Sequence, residues 1–547
     1  MLRYTVNTSE KTIKLKPLTQ PYTSPFFHRY MSDSDSNSWI GGILELSSKV
    51  RYGITSRGVP IFRFIPYDKR LSPFAVGCSQ RNLFYNVHAI VSATAVQDKP
   101  SASPTQQTNE LPKGFIVQPL GIPTPQSELQ VLLAAYAYDN KKSLRQQIQN
   151  PSALVSSPDL SIRERLDGFT FNIDPAGCRD VDDTFTVKQV DTITWKISIN
   201  IADVSAWIEE NSPLDSIARL RATSFYSPVG ECLAPMLPPE ISEGLASLLP
   251  GQDKPTYSLT FTFSTYTYAG KEEYFLDNFE WLETTTNVDK SFTYEEAQAQ
   301  RGSIPELQVV EKCSQAIQSL LKLSPVSASA SASASAPSEQ TDSHIWVQNM
   351  MILYNWKAGL KLHYMHAGIL RSHKASNDPD AMETLAKIHP DLAFLAYESA
   401  KFCSATDEDT AHYGLGIGKY AYASSPIRRY CDLVNQRVLK GSRTAIGPQL
   451  IELLNRRQKQ AKAFSRDLFF MSELSNSSDC VTGVVVSSSI SDKPKFKVYV
   501  PAWKRTVTVK TLVATEIARG TKVSLEWFED TGKPHWKERI IFRAKVQ

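Results

Sequence analysis

Asp174, Asp180, Asp182 and Asp183 crowd into ten residues, just ahead of a stretch in which apolar and polar side chains alternate. That stretch, Val187 to Val204, is rich in Thr, Ile and Val, and its period of two predicts strands. The acidic loop therefore stands at the entrance to a sheet, a rigid place from which to hold ligands. Four like charges on one short loop repel each other unless cations gather them. Carboxylate oxygens are hard ligands suited to Mg²⁺ or Mn²⁺. Two such ions can promote phosphodiester cleavage. Aspartates also recur in ordinary turns, where they bond the nearby backbone, and that reading stands beside the first. An EF-hand loop is excluded, because no register supplies both its Gly and its terminal Glu.

A second cluster lies in Tyr420-Ala421-Tyr422-Ala423-Ser424-Ser425-Pro426-Ile427-Arg428-Arg429-Tyr430. Ser425 suits an N-cap and Pro426 the first helical position, which predicts a helix from about Pro426 to Lys440. Arg428 and Arg429 then fall in its first turn. Two guanidiniums beside a helix N-terminus are unfavourable unless an anion sits there. Helix N-termini and arginine forks both favour phosphate. The alternatives are a solvated basic turn, or an arginine paired with Asp432.

The aspartate stretch is joined by Asn200-Ile201-Ala202-Asp203-Val204-Ser205, by Pro235-Met236-Leu237-Pro238, and by His412-Tyr413-Gly414-Leu415-Gly416 leading into Ser425-Pro426-Ile427-Arg428-Arg429-Tyr430-Cys431-Asp432-Leu433. Together, and in this order from about 165 to 475, they resemble the ribonuclease II and ribonuclease R (RNB) family, which includes the exosome nuclease subunit of eukaryotes. The resemblance implies a hydrolytic, Mg²⁺-dependent 3′-to-5′ exoribonuclease, processive on single-stranded RNA and releasing nucleoside 5′-monophosphates. It implies that Asp174, Asp180 and Asp183 are metal ligands and that Asp182 is the carboxylate most needed for the chemistry. Arg428 would stabilise charge on the scissile phosphate, Arg429 would contact RNA, and Tyr226 would stack on a base near the 3′ end. Tyr226 also reads as an ordinary half-buried strand aromatic.

The chain departs from the family pattern at four positions. The paired glutamates of one helix are Gln348 and Asn349, ahead of Met351 and Asn355; the His of the His-Ile-Ala-Asp motif is Asn200; and the His expected before Arg437 is Gln436. A loop of about 324–343, in which Ser and Ala alternate as far as Ala336-Pro337, replaces a strand pair and is expected to be disordered. These departures keep a second function in view: a weak or inactive RNA-binding regulator on the same scaffold.

The fold class expected is multidomain α+β, with a central mixed α/β RNB catalytic domain flanked by an N-terminal OB/cold-shock-like and a C-terminal OB (S1-like) β-barrel. Residues 1–37 read as a disordered tail, 38–164 as the OB/cold-shock-like RNA-binding region, 165–475 as the catalytic domain, and 476–547 as the S1-like domain. Within the second of these, short strands from Trp39 to about Ala95 suit a small barrel, whereas Phe115 to Tyr138 resembles the tail of a second cold-shock module. Helical spacing recurs over Ile345 to Leu362 and Gln449 to Met471. In the last domain Lys and Arg outnumber Asp and Glu by about two to one and interleave with aromatics, so Phe496 and Trp503 are expected to bind RNA. A basic all-β cap with buried aromatics is the alternative.

Composition adds little but excludes some classes. The apolar fraction of 41% and charged fraction of 21% are those of a globular protein, and a net charge of +4 is mild. No stretch approaches the length of a membrane helix, so no membrane partner is expected. Seven scattered cysteines without a Cys-x-x-Cys pair suggest reduced thiols in an intracellular, cytoplasmic setting. A basic stretch over 1–30 with Glu10 as its one acid leaves organelle import open. A monomer is expected, and membership of a larger RNA-decay complex is compatible with the resemblance. His363, His366 and His373 lack the ligand set of a zinc site.

Overall fold

Gly41 and Gly42 let the first strand lie against its neighbours: a Cβ on either would come within 2.3 Å of a backbone oxygen, of Val131 and Ile65 respectively. The computed structural model describes residues 38–68, 71–81, 83–93, 111–136, 150–322, 342–374, 384, 386–389, 392, 399–444, 446–476, 480–489, 495–510, 517–530, 533 and 535–546. The tail expected over 1–37 and the Ser/Ala loop up to residue 341 lie outside the described residues. The chain forms two compact units, one of 1–146, 378–396 and 463–547, the other of 147–377 and 397–462.

In the first unit, β1 (Ser38–Leu44), β2 (Ile61–Pro66), β3 (Phe74–Gly77), β4 (Val87–Ala93) and β5 (Lys113–Gly121) close a barrel in the order β1-β2-β3-β5-β4. This is the strand order of an OB barrel. Phe62, Phe64, Phe74 and Val76 fill its interior. The stretch expected to end a second module instead completes this barrel: β5 pairs in parallel with β3 and antiparallel with β4. It continues into helix α1 (Pro125–Tyr136), whose Leu129 and Leu132 are buried.

The second unit is built on a seven-stranded sheet. Its strands are β6 (Glu164–Arg165), β7 (Phe169–Asp174), β8 (Asp183–Gln189), β9 (Thr194–Ala202), β12 (Lys254–Tyr268), β13 (Lys271–Thr286) and β14 (Lys290–Thr293), with β10 (Phe225–Tyr226) and β11 (Cys232–Ala234) forming a separate pair. The order is β14-β7-β8-β9-β12-β13-β6. Helix α2 (Pro213–Arg221) lies between β9 and β10 in the chain; α3 (Tyr294–Gln300), α4 (Pro305–Leu320) and α5 (Asp342–Tyr364) follow β14. Phe171, Phe185, Ile199 and Phe261 of the sheet pack with Leu307, Val310, Met350 and Leu353 of the helices. The intervening strand positions carry hydroxyls and amides, and they bond one another. Thr170 and Thr186 hydroxyls lie 2.8 Å apart, Asn200 Nδ2 donates to Thr186 Oγ1 at 2.8 Å, and Ser258 Oγ donates to Asn200 Oδ1 at 2.8 Å. Strands β15 (Ile369–Ser372) and β16 (Lys401–Ser404) form a short hairpin-like pair. Helix α6 (Tyr430–Leu439) is buried along its whole length, and α7 is Pro448–Asn476.

The C-terminal part of the first unit is a five-stranded antiparallel sheet of β17 (Cys480–Ser489), β18 (Lys495–Val500), β19 (Arg505–Lys510), β20 (Lys522–Glu529) and β21 (Ile540–Val546), in the order β19-β18-β17-β20-β21. This is again OB order, opened between β19 and β21. Phe496 and Trp503, expected to meet RNA, are interior residues at 3% and 1% exposure. Phe496 shares its strand face with Val498, and Trp503 packs edge-on against Phe470. Neither ring has a face open to a base. Phe528 is the exposed ring of β20, with the Arg543 guanidinium 4.8 Å above it.

The two β-rich parts of this unit meet at a buried ionic cluster. Arg539 Nη1 lies 3.1 Å from Glu128 Oε1, the Tyr67 hydroxyl donates to Glu128 Oε2 at 2.6 Å, and His88 Nε2 lies 3.0 Å from the same hydroxyl. Among the described residues no helix is long and apolar enough to cross a membrane.

Candidate active site

The four aspartates flank one strand turn. Asp174 ends β7, Asp183 begins β8, and Asp180 and Asp182 lie between them. Strand pairing fixes the loop: Phe171 faces Phe185 across β7 and β8, and Ala202 N–H donates to Asp182 C=O at 2.9 Å. Asp182 is buried and spends both carboxylate oxygens. Oδ1 accepts from Ile427 N–H at 2.9 Å and Oδ2 from Arg428 Nε at 3.0 Å. Asp174 accepts from Asn172 Nδ2 at 2.7 Å, and the Tyr226 hydroxyl donates to Asp180. The Asp183 carboxylate accepts no hydrogen bond from the described residues.

Electrostatics follow from this crowding. Burial pushes Asp182 up to about 7, against the pull of Arg428 and the Ile427 N–H. Burial raises Asp183 well above the usual carboxylate range, and Asp174 and Asp182 add to the shift. Asp174 is raised by burial, opposed by the Asn172 bond and Arg428. The Tyr226 hydroxyl is raised by burial, with Asp180 adding to it.

The arginine segment differs from expectation. Residues 426–428 form a single turn and the helix begins at Tyr430, with Arg429 as its N-cap. Long-range bonds hold the turn. Ser425 N–H donates to Asp432 Oδ1 at 2.8 Å, and Thr223 bridges to Arg429 as in a sheet. Ser224 N–H donates to Arg428 C=O and Tyr430 N–H to Ala222 C=O, both at 2.9 Å. The strand that carries Tyr226 is thereby tied to the arginine turn. Arg428 also donates Nη2 to Ser425 Oγ at 3.1 Å, and its side chain keeps 36% exposure. Arg429 donates Nη2 to Asp432 Oδ1 at 2.7 Å, the pairing weighed from sequence as the plainer alternative.

The departures from the family pattern are structural bonds in this chain. Asn200 joins the hydroxyl ladder, and Gln436 Nε2 donates to Ala202 C=O at 2.9 Å while its Oε1 accepts from Ser205 N–H at 3.0 Å. Asn349 Nδ2 donates to Ser314 Oγ at 3.0 Å; Gln348 lies beside it on α5. Asp203 is an ion-pair residue, 2.7 Å from Arg163 and 2.6 Å from Lys440. Sequence reasoning missed Asn172 and Asn355. The latter accepts from Ala423 N–H at 2.9 Å and donates to Ser424 Oγ at 3.1 Å, setting the approach to the turn.

A family model of the RNB domain matches residues 163–442, just over half of the 547. The chain belongs to the RNB domain family. Ribonuclease R of Chlamydia muridarum is 27% identical over 334 residues, covering 51% of this chain and 46% of that protein. The chain thus spans about half the length of the curated relatives it matches. In structure, this RNB protein is similar to Mycoplasma genitalium RNase R, solved in complex with ribose-methylated single-stranded RNA: the TM-score is 0.69 at 15% identity, over 94% of this chain and 90% of that one. It is also similar to yeast Ssd1, a pseudonuclease, with a TM-score of 0.63 at 16% identity over 90% of this chain and 67% of that one. These likenesses are of fold.

The donor set fits a divalent cation. It is all carboxylate oxygen, and among the described residues no hydrogen bond is donated to the Asp183 carboxylate. Among the described residues no three His, Cys, Asp or Glu side chains form a complete metal-binding group. Mg²⁺ tolerates this, because it is commonly held by one or two carboxylates together with waters and substrate phosphates.

Proposed function

We propose that the chain is a hydrolytic 3′-to-5′ exoribonuclease that degrades single-stranded RNA processively to nucleoside 5′-monophosphates, with Mg²⁺, or Mn²⁺ in its place. The observation that carries this is the Asp182 carboxylate, buried and shared between the Ile427 N–H and the Arg428 guanidinium. Asp174, Asp180 and Asp183 would hold the cation, which when bound supplies charge neutralisation and an activated water. Asp182 orients Arg428. The exposed part of that guanidinium meets charge developing on the scissile phosphate, and such fixed donors gain strength in a water-poor site. Tyr226, anchored by its hydroxyl on Asp180, leaves its ring to a base near the 3′ end. Within the proposed domain limits, 38–164 and 476–547 supply further RNA contacts. Arg429, tied to Asp432, serves RNA through the turn it shapes. The protein works as a monomer or within a larger RNA-decay complex, in an intracellular compartment.

A weak or inactive RNA-binding regulator is the second reading, supported by the glutamine and asparagines at 348, 349 and 200. Incubation of uniformly labelled single-stranded RNA with the protein and Mg²⁺ separates the two. Mononucleotide release that stops on adding EDTA supports the nuclease; RNA that is bound and remains intact removes it.

A further inference from the structure

We propose that the outer edge of β13 is a docking site for an extended segment of a partner protein in which basic and apolar residues alternate, added to the sheet as a further strand. β13 pairs with β12 along its length, but on its other side it meets β6 only at Thr284 and Thr285. From Lys271 to Glu283 no described strand lies beside it. In an antiparallel pair about half of a strand's N–H and C=O groups point away from its partner. This run therefore presents a row of backbone donors and acceptors with no ladder partner among the described residues, and such an edge is a template for strand addition. A bulge divides it: the register with β12 shifts between Thr260 and Thr262, and Asn278, in the same stretch of β13, takes a φ of +50°. The part ahead of the bulge, Lys271 to Asp277, suits a partner of roughly seven residues at about 3.3 Å each.

The two faces of this edge differ, and the difference selects the partner. On the outer face Glu273, Asp277 and Glu280 stand opposite Tyr266, Thr262 and Thr260 of β12. All three are exposed, and among the described residues none has an ion pair. Phe275 lies between the first two, 50% exposed and edge-on to Tyr266. Lys271, opposite Tyr268, is the one cation that β13 adds to this face. On the inner face Tyr274, Phe279 and Trp281 lean on Phe263, Phe261 and Tyr257 of β12, and each is only half-buried. Here cations are already in place. Lys357 Nζ of α5 lies 3.6 Å from the centre of the Phe279 ring, Lys361 Nζ lies 5.4 Å from that of Trp281, and Lys312 of α4 pairs with Glu272 at 2.9 Å. The inner face thus favours apolar side chains, and the outer face carries acid without counter-charge. A strand with Lys or Arg outward and Val, Ile or Leu inward matches both, because opposite charges and apolar pairs across strands stabilise a sheet. Charge alone guards an edge against pairing, but Phe275, Tyr266 at 48% exposure and Tyr268 at 73% leave apolar surface on the same rim. The acidic loop borders Ala202, which pairs with Thr256, at the other end of the sheet. The docking site therefore does not rest on the nuclease reading.

Fluorescence anisotropy of the full chain with a labelled peptide of about nine residues, Lys and Val in alternation, tests this. Binding should saturate, about tenfold tighter than that of an isomer carrying the same residues in two blocks. Methylating the peptide's backbone nitrogens keeps its charge and removes its ladder donors, which should also weaken binding about tenfold. Amide hydrogen exchange should slow within 271–283 when the alternating peptide is bound. Glu273→Lys combined with Asp277→Lys, both at exposed positions, should weaken binding by about tenfold. A wild type that does not bind the alternating peptide means that the acids only guard the edge, and the proposal falls. Equal binding of the methylated peptide leaves charge as the sole cause and overturns strand addition. Full binding by the charge-reversed variant, or slowed exchange at 174–183 in place of 271–283, puts the peptide elsewhere and overturns the location. The exchange and methylation arms use the wild type, so they decide the question even if the variant does not fold.

Discussion

Asp182 and Ile427 are 245 residues apart in sequence and joined by a 2.9 Å hydrogen bond from the Ile427 N–H to Asp182 Oδ1. With the Arg428 bond to Oδ2, it makes one carboxylate the junction between the acidic loop and the arginine turn.

Asp182→Asn should abolish RNA cleavage while leaving RNA affinity within several-fold. The amide oxygen still accepts from Ile427, so the turn survives, and the charge facing Arg428 is lost. Gel assays of product with parallel binding curves test this; normal cutting by the variant removes Asp182 from the chemistry.

Arg428→Lys keeps a positive charge but loses the fork that spans Asp182 and Ser425. Turnover should fall roughly 10²–10³-fold with KM little changed, as expected for a donor that acts on developing charge. Steady-state kinetics on a short oligonucleotide decide it. An increase in KM alone would make Arg428 a binding residue.

Acid should loosen the first unit through Glu128. Burial raises this carboxyl, but the contacts of His88, Arg539 and Tyr67 outweigh it and hold the group at about 2, against 4.5 in an unstructured chain. A depressed carboxyl binds its proton more weakly in the folded state, so its contribution is present above about pH 4.5 and is lost as pH falls towards 2. The loss amounts to up to about 3 kcal/mol. Denaturant curves between pH 6 and 3 should show a steeper decline for the wild type than for Glu128→Gln, whose stability is already reduced at pH 6. Parallel declines would mean that the cluster contributes nothing.

RNA affinity should fall as salt rises, with a log–log slope of about −0.7 for each phosphate contact on a single strand. Binding measured across a range of KCl concentrations gives the slope. A flat line argues against backbone contacts.

Asn355→Ala removes the acceptor of Ala423 N–H and the donor to Ser424 Oγ. A buried N–H left unsatisfied costs roughly 1–3 kcal/mol, which chemical unfolding should register together with reduced cleavage. An unchanged midpoint would mean that another group takes up the amide.

Period-two patterning and the aspartate spacing made the sheet and the acidic loop legible in the sequence. The start of α6 was not legible. Ser425 and Pro426 obey local capping rules, yet the turn answers to Asp182 and Thr223, far off in the chain. Phe496 carries a usable signal: it alternates with Lys495 and Lys497 and shares its parity with Val498, the mark of an inward face. Trp503 follows Pro501 in a short turn where no such parity exists. The place of 113–121 in the first barrel is not legible, because its parallel pairing with β3 leaves no local trace in the sequence.

The junction of Tyr67, Glu128 and Arg539 has a consequence for synthesis. Tyr67 leaves the ribosome 472 residues ahead of Arg539. A nascent barrel that buried Glu128 early would hold an anion without its guanidinium. Its final tightening therefore waits on translation of the last sheet, and ribosome stalling before that point strands an amino-terminal domain that is collapsed but unsealed.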